Sequence, residues 1–383
     1  MGVFQRGTAC VAALLGAGLL ACLPLTSARA ESRSYVVNWF YMNNYYGGEQ
    51  DCPDGLNLSS IDFYKREMRR LGYAEDQIEK IMDGYPGAGD GRGPWVAIVV
   101  HRGNGVDDVY ENPQTAPDPG LKVVKGKFAY GFNLDGKGAE TAGAFEDPET
   151  HEKGVDNELY RLVGCIKSYR GGEGAARRPA FPDYVWDVLR DRMPAWLITV
   201  TADNWQDAPV TVTFDRALST VMRDATGSSA RANMTFPIDP DPRGHSVVKG
   251  WVKDGVITTD PGAINFIADA FGLTSDLNFT QAKLRLTMKP NGALEGMLGG
   301  YQPWTNFYWG NAGRSWAGEY LHSQDAVAIY YALKRMADGN PNPKTGEMRD
   351  ISSSYALEAL PAFTVPATAR NAAARPVRTS QNP

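Results

Sequence analysis

Between Phe132 and Ile166 the chain runs FNLDGKGAETAGAFEDPETHEKGVDNELYRLVGCI, a stretch dense in oxygen ligands. Asn133 and Asp135 stand in one Gly-bearing turn and Asp156 and Asn157 in another, with Glu146 and Asp147 between them. Carboxylates, side-chain amides and turn carbonyls are what calcium takes, about six to eight oxygens at a time. If the two turns meet, Asp135 and Asp156 share a small volume and something must offset their repulsion. A calcium ion held by Asn133, Asp135, Asp156 and Asn157 would do so. Two ordinary turns would use the same residues, because Asp and Asn tolerate the left-handed region and hydrogen-bond their own backbone.

The first turn, Asn133-Leu134-Asp135-Gly136, resembles the Asp-x-Asp-Gly turn of thrombospondin type 3 modules, with Asn133 in place of the leading Asp. Gly154-Val155-Asp156-Asn157 resembles their Gly-x-Asp-Asn element. The resemblance covers these two turns and implies calcium binding there. In outline the chain also resembles an exported bacterial protein, through its leader, its DCPDG segment and its LGGYQP hairpin end. A second oxygen pattern occurs in DGNPNPKTGEMRD, residues 338–350. Asp338, Asn340 and Asn342 follow the first ligand positions of an EF-hand, but Pro343 and Arg349 replace the Gly and Glu that the loop needs, so it reads as a separate turn.

Aromatic residues crowd the stretch YQPWTNFYWGNAGRSWAGEY, 301–320. Trp304, Tyr308, Trp309, Arg314 and Trp316 could stack a sugar or another flat ligand; packed inward, the same rings would form a satellite core. Glu295, Glu319 and Asp325 are the nearby carboxylates that a glycoside-cleaving pair would draw on.

Other signatures fail. His151-Glu152 lacks the second His of a zinc-protease helix, and His101, His245 and His322 are isolated in sequence. Glycines 87, 89, 91 and 93 miss the dinucleotide spacing. Ser246-Val247-Val248-Lys249 and Lys344-Thr345-Gly346 match two serine β-lactamase motifs, but the first lies in a strand-like run and the second in a turn, where that chemistry cannot work.

The elements that must position these residues are mostly strands. SYVVNWFYMNNYY reads as an aromatic strand, and WLITVTADN and APVTVTFDRAL alternate in period two. Hairpins are expected about Asp254-Gly255 and Asn291-Gly292. Two short helices divided by Gly72 are expected over 59–82, others over 182–193 and 324–339, and a buried strand at WVAIVVH, 95–101. The fold class is therefore mainly β with helical insertions (α+β), read as an antiparallel sandwich-like core. A boundary is placed near 171–180, dividing an N-terminal region, 31–170, from a β-rich region, 171–366, with a disordered tail over 367–383.

Residues 1–30 have the basic start, apolar run and Ala28-Arg29-Ala30 ending of a secretory signal, predicting a mature chain from Glu31; Leu19-Leu20-Ala21-Cys22 offers a lipoprotein alternative anchored at Cys22. Cleavage removes two arginines and no acid, so the formal charge moves from −5 to −7. That surface does not suit nucleic acid, and no later run is long and apolar enough to span a membrane. Of four cysteines, Cys52 and Cys165 remain, and in an oxidising compartment they are expected to pair. The leading functional expectation is an exported, periplasmic, calcium-stabilised protein that binds a protein or small-molecule partner without catalysis. The alternative is a secreted hydrolase acting on carbohydrate through paired carboxylates near 301–320.

Overall fold

Alternation of apolar and polar side chains over eight strands builds the protein around a closed antiparallel barrel. The computed structural model describes residues 30–83, 93–138, 143–170, 186–187, 190–267, 276–312, 318–320 and 323–367. The barrel strands are β1 (Glu31–Met42), β2 (Trp196–Ala202), β3 (Asp207–Arg216) and β4 (Ser246–Lys253), followed by β5 (Val256–Thr259), β6 (Leu277–Met288), β7 (Leu294–Pro303) and β8 (Met348–Val365). Each pairs with the next in chain order, and β8 returns to pair with β1. The β-rich expectation holds, but the sandwich is corrected to a barrel. A sandwich leaves edge strands, whereas here β1 is hydrogen-bonded to β2 on one side and β8 on the other. Local alternation and turns are the same in both architectures.

The barrel interior is filled. Ile198, Val212, Phe214, Leu284, Leu298 and Leu357 belong to one buried cluster, each contributing about 1.5–3 kcal/mol on burial. Aromatic rings complete it, with Phe40 stacked on Tyr355 at 4.7 Å and Trp196 tilted against Phe266 at 4.3 Å. In β1 a register shift between Val37 and Trp39 changes the inward phase, so that Tyr35 and Val37 give way to Phe40 and Met42. A smaller outer core, with Val36 and Leu197 facing outward under Phe236, covers part of the barrel's surface.

The turns follow their chemistry. Asp254 and Gly255 both take positive φ, 49° and 78°, as a two-residue hairpin requires. At the β6–β7 turn only Gly292 does, at 84°, while Asn291 accepts a hydrogen bond from the Ala293 N–H.

Between β1 and β2 the chain leaves the barrel to build the helices and the acidic loop. Helices α1 (Ser60–Arg70) and α2 (Glu75–Met82) flank Gly72 as expected, and Ser59 caps α1. WVAIVVH is not a strand. It forms helix α3 (Pro94–Val100), because Pro94 sets the first turn and Trp95 and Val99, four apart, bury against Tyr64 and Met68. Packing overrides the β preference of its valines. Helix α4 (Glu158–Val163), capped by Asn157, and helix α5 (Ala326–Met336), capped by Asp325, add Leu162, Val327 and Leu333 to the main core. Helix α5 ends before Gly339, which lies against the Tyr301 ring and opens a short strand paired with β8. Cys52 and Cys165 form a disulfide, with sulfurs 2.07 Å apart across 113 positions. The expected leader, the lipobox cysteine, the 171–180 boundary, half of the 182–193 helix and all but the first residue of the tail lie outside the described residues.

Candidate functional site

Two places bring chemistry-bearing side chains together: the acidic loop against the barrel wall, and a charged groove at the start of α5. In the acidic loop, Phe132 and Leu134 pack on Met297 and Tyr301 of β7, and Gly299 is where the Phe132 ring presses on the strand. A Cβ at Gly299 would sit 2.6 Å from that ring. Cations on the outer face of β6 meet the loop. Arg285 reaches the wholly buried Asp147 at 3.0 Å, and Lys283 donates to the Asn133 carbonyl at 2.6 Å. Burial opposes ionisation of Asp147, but N–H donors from Thr150 and Glu149, with Arg285, hold its carboxyl below the usual range. Glu146 pairs with Lys127 and Asp135 with Lys137.

Both expected turns form. Asp156 Oδ2 accepts from the Leu134 and Asp135 N–H groups at 2.7 and 3.1 Å, and Asn133 Oδ1 from Gly136 at 2.7 Å. Asn157 is engaged in capping α4 and in donating to the Tyr130 carbonyl. Asp338, read in the sequence as part of a separate turn, comes to the same place. Asp156, Asp338 and Asp135 all act on the Tyr301 hydroxyl, whose pKa burial and these charges raise. Neither Asp156 nor Asp338 has an ion pair with a side chain among the described residues. Burial, with repulsion from Glu158 and Asp156, pushes Asp338 up to about 7 despite a 2.7 Å hydrogen bond from the Ser352 N–H. Among the described residues no group of three or more His, Cys, Asp or Glu is disposed to hold a metal ion.

The second place starts from Arg102, which follows α3 and is 3% exposed in its side chain. Its guanidinium donates to the Val99 carbonyl, to both Glu319 oxygens at 2.7 and 3.3 Å, and to Asp325 at 3.5 Å. Tyr110 donates to Glu319 as well, and so does the Ala326 N–H, at 2.9 Å. Glu319 has no exposure. Desolvation works against the charge of Arg102, but Glu319 and its neighbours outweigh it and hold the guanidinium protonated. Asp325 accepts from Val327 and Ala328 at the head of α5; burial drives its pKa up to about 6, opposed by Arg102 and assisted by Glu319.

Asp325 lies at the floor of a groove between α1 and the segment around Pro119–Lys125, with lobes of about 460 and 280 Å³. Phe63, Arg66, Pro119 and Asp325 line both lobes. Two guanidiniums approach the Phe63 ring, Arg66 at 5.0 Å and Arg102 at 4.9 Å from its centre.

Of the expected carboxylates, Glu319 and Asp325 thus meet on one guanidinium, while Glu295 is half-exposed beside Lys289 at the β6–β7 hairpin. Of the aromatic residues, Tyr308 is fully buried, packing on Trp309 at 4.9 Å and on Tyr330 of α5 at 5.3 Å. Trp304 packs on the same Tyr330, and among the described residues of this set only Trp309 keeps substantial exposure. Arg314, Trp316 and His322 lie outside the described residues. His245 finds a partner in Asp215 at 2.7 Å. Arg66, Arg102, Tyr110 and Gln324 escaped sequence reasoning, since contacts such as Arg102 to Glu319, 217 positions apart, leave no local pattern. Compared with family models, curated proteins and solved structures, the chain finds no match.

Proposed function

We propose that the chain is an exported protein that binds a ligand or partner without catalysis, stabilised by its disulfide and by calcium at the acidic end of the barrel. The observation that carries the reading is the state of the carboxylate pair. Glycoside cleavage needs two carboxyl groups flanking a bond, and Glu319 is sealed from solvent and held by Arg102, Tyr110 and the Ala326 N–H. A filled barrel and an aromatic segment folded onto α5 likewise suit a rigid frame more than a cleft that works on polymers. Support for calcium comes from Asp156 and Asp338, whose charges repel each other beside Tyr301 without an ion pair among the described residues, while Asp135 is paired with Lys137. Asn133 and Asn157 serve that site by fixing the turns that present it.

The test has two arms. Purified protein is assayed for turnover on chromogenic glycosides and soluble polysaccharides, and the exported form is weighed intact. No turnover and a chain starting at Glu31 are the expected results. Hydrolysis that disappears in both Glu319→Gln and Asp325→Asn would overturn the binding reading, and a lipid-modified mass at Cys22 would overturn the unanchored form.

A further inference from the structure

We infer that the groove over the start of α5 binds a short peptide with both termini free, its ammonium inward, its carboxylate at the rim and a peptide group on the Gln324 amide. The inference rests on the binding reading above and gives it a ligand class. Gln324 is 1% exposed and lines the larger lobe. Among the described residues neither its amide nitrogen nor its amide oxygen has a hydrogen-bond partner of good geometry. The Tyr169 hydroxyl is its polar neighbour and can serve at most one end of the amide. Burying an amide without partners is unfavourable. A peptide group, which presents a carbonyl and an N–H, can complete both ends.

Charge sets the orientation. Behind the floor the buried Glu319 and, on the floor itself, Asp325 share Arg102, leaving a net negative charge, with Arg66 on the groove wall as the next cation acting on Asp325. Farther out, Arg66 and Arg70 share Glu67, and Lys122 donates to the Leu56 carbonyl with no ion pair among the described residues. Lys125, also at the rim, is taken by Asp54. The inner wall is therefore short of a cation and the outer wall short of an anion. An ammonium facing Asp325 and a carboxylate facing Lys122 and Arg66 answer both, whereas a neutral sugar answers neither. The Val327 and Ala328 N–H groups are already bonded to Asp325, so the helix terminus is not itself the anion site. The groove's size falls in the range of small-molecule sites, about 300–1,000 Å³.

Titration calorimetry of the mature chain tests this with trialanine, N-acetyl-trialanine, trialanine amide and maltotriose. Trialanine is expected to bind, and each singly blocked peptide to bind at least about tenfold more weakly, the equivalent of one charge-assisted hydrogen bond. Gln324→Leu is expected to melt close to wild type, removal of the incomplete buried amide offsetting the lost contact to the Tyr169 hydroxyl, and yet to lose trialanine. Lys122→Glu should weaken trialanine more than its amide. Equal binding of free and blocked peptides, full binding by Gln324→Leu, or binding of maltotriose alone would each overturn the peptide assignment. Absence of binding by all four probes would overturn it too, but would leave the non-catalytic reading standing, because that reading falls only to turnover.

Discussion

Replacing Asp338 by Asn isolates the energetic cost of one carboxylate. In the folded chain its pKa lies near 7, against 3.8 for an ordinary aspartate, because burial and the charges of Glu158 and Asp156 disfavour ionisation. Between those values the folded state holds a proton that the unfolded chain has released. The group's contribution is therefore fully present below about pH 4 and is lost as pH rises towards 7. A shift of about three units corresponds to roughly 4 kcal/mol. Asp338 keeps some contact with water, which brings the expected loss to about 2–4 kcal/mol. Asn carries no charge and can still accept the Ser352 N–H, so Asp338→Asn should match wild type near pH 4 and exceed it by that margin at pH 8. Urea denaturation from pH 4 to pH 8, with a chelator present, measures the gap. A gap that stays constant within about 0.5 kcal/mol across that range would refute the reasoning.

Calcium should raise the wild-type melting temperature, with about 2.7 kcal/mol gained at a hundred times its dissociation constant, and Asp156→Ala should remove most of that gain. The sequence alone separates Asp338 from this site, whereas the structure joins them, so Asp338→Ala should diminish the gain as well; superimposable melts in calcium and chelator would remove the metal. Replacing both Cys52 and Cys165 by Ala should cost about 4–5 kcal/mol by chain entropy for a loop of this length, and a loss below about 1 kcal/mol would show that the bridge constrains little. Arg102→Met should destabilise the protein by about 3–5 kcal/mol by leaving two carboxylates without their cation; a variant within 1 kcal/mol of wild type at pH 8 would refute that account of the network.

Features written in a few neighbouring residues were legible from sequence. Asp254-Gly255 announced its hairpin because few residue pairs accept two positive φ values, and Gly72 marked the division between two helices for an equally local reason. The disulfide was legible because Cys52 and Cys165 are the two cysteines that follow the expected leader. Helix α3 was not, because its valines and isoleucine prefer a strand and only contact with α1 and α2 decides otherwise. Barrel and sandwich differ only in whether the first and last strands meet. At the candidate sites, Asp156 and Asp325 were visible as acids, but not Asp338 beside the one or Arg102 beneath the other. Both contacts are made by the fold across distant parts of the chain.

The seam between β1 and β8 also fixes when the molecule can be finished. Ser34 and Thr364 meet 3.0 Å apart although 330 positions separate them. A ribosome must therefore deliver all 330 of those positions before the first strand acquires its second neighbour. Until then β1 and the growing meander each present an open edge, the geometry that invites pairing with another chain. Such long-range contacts also slow folding. Loss of β8, eighteen residues long, would leave that exposed intermediate as the end product, so chains truncated before Met348 should accumulate as aggregates rather than as smaller folded proteins.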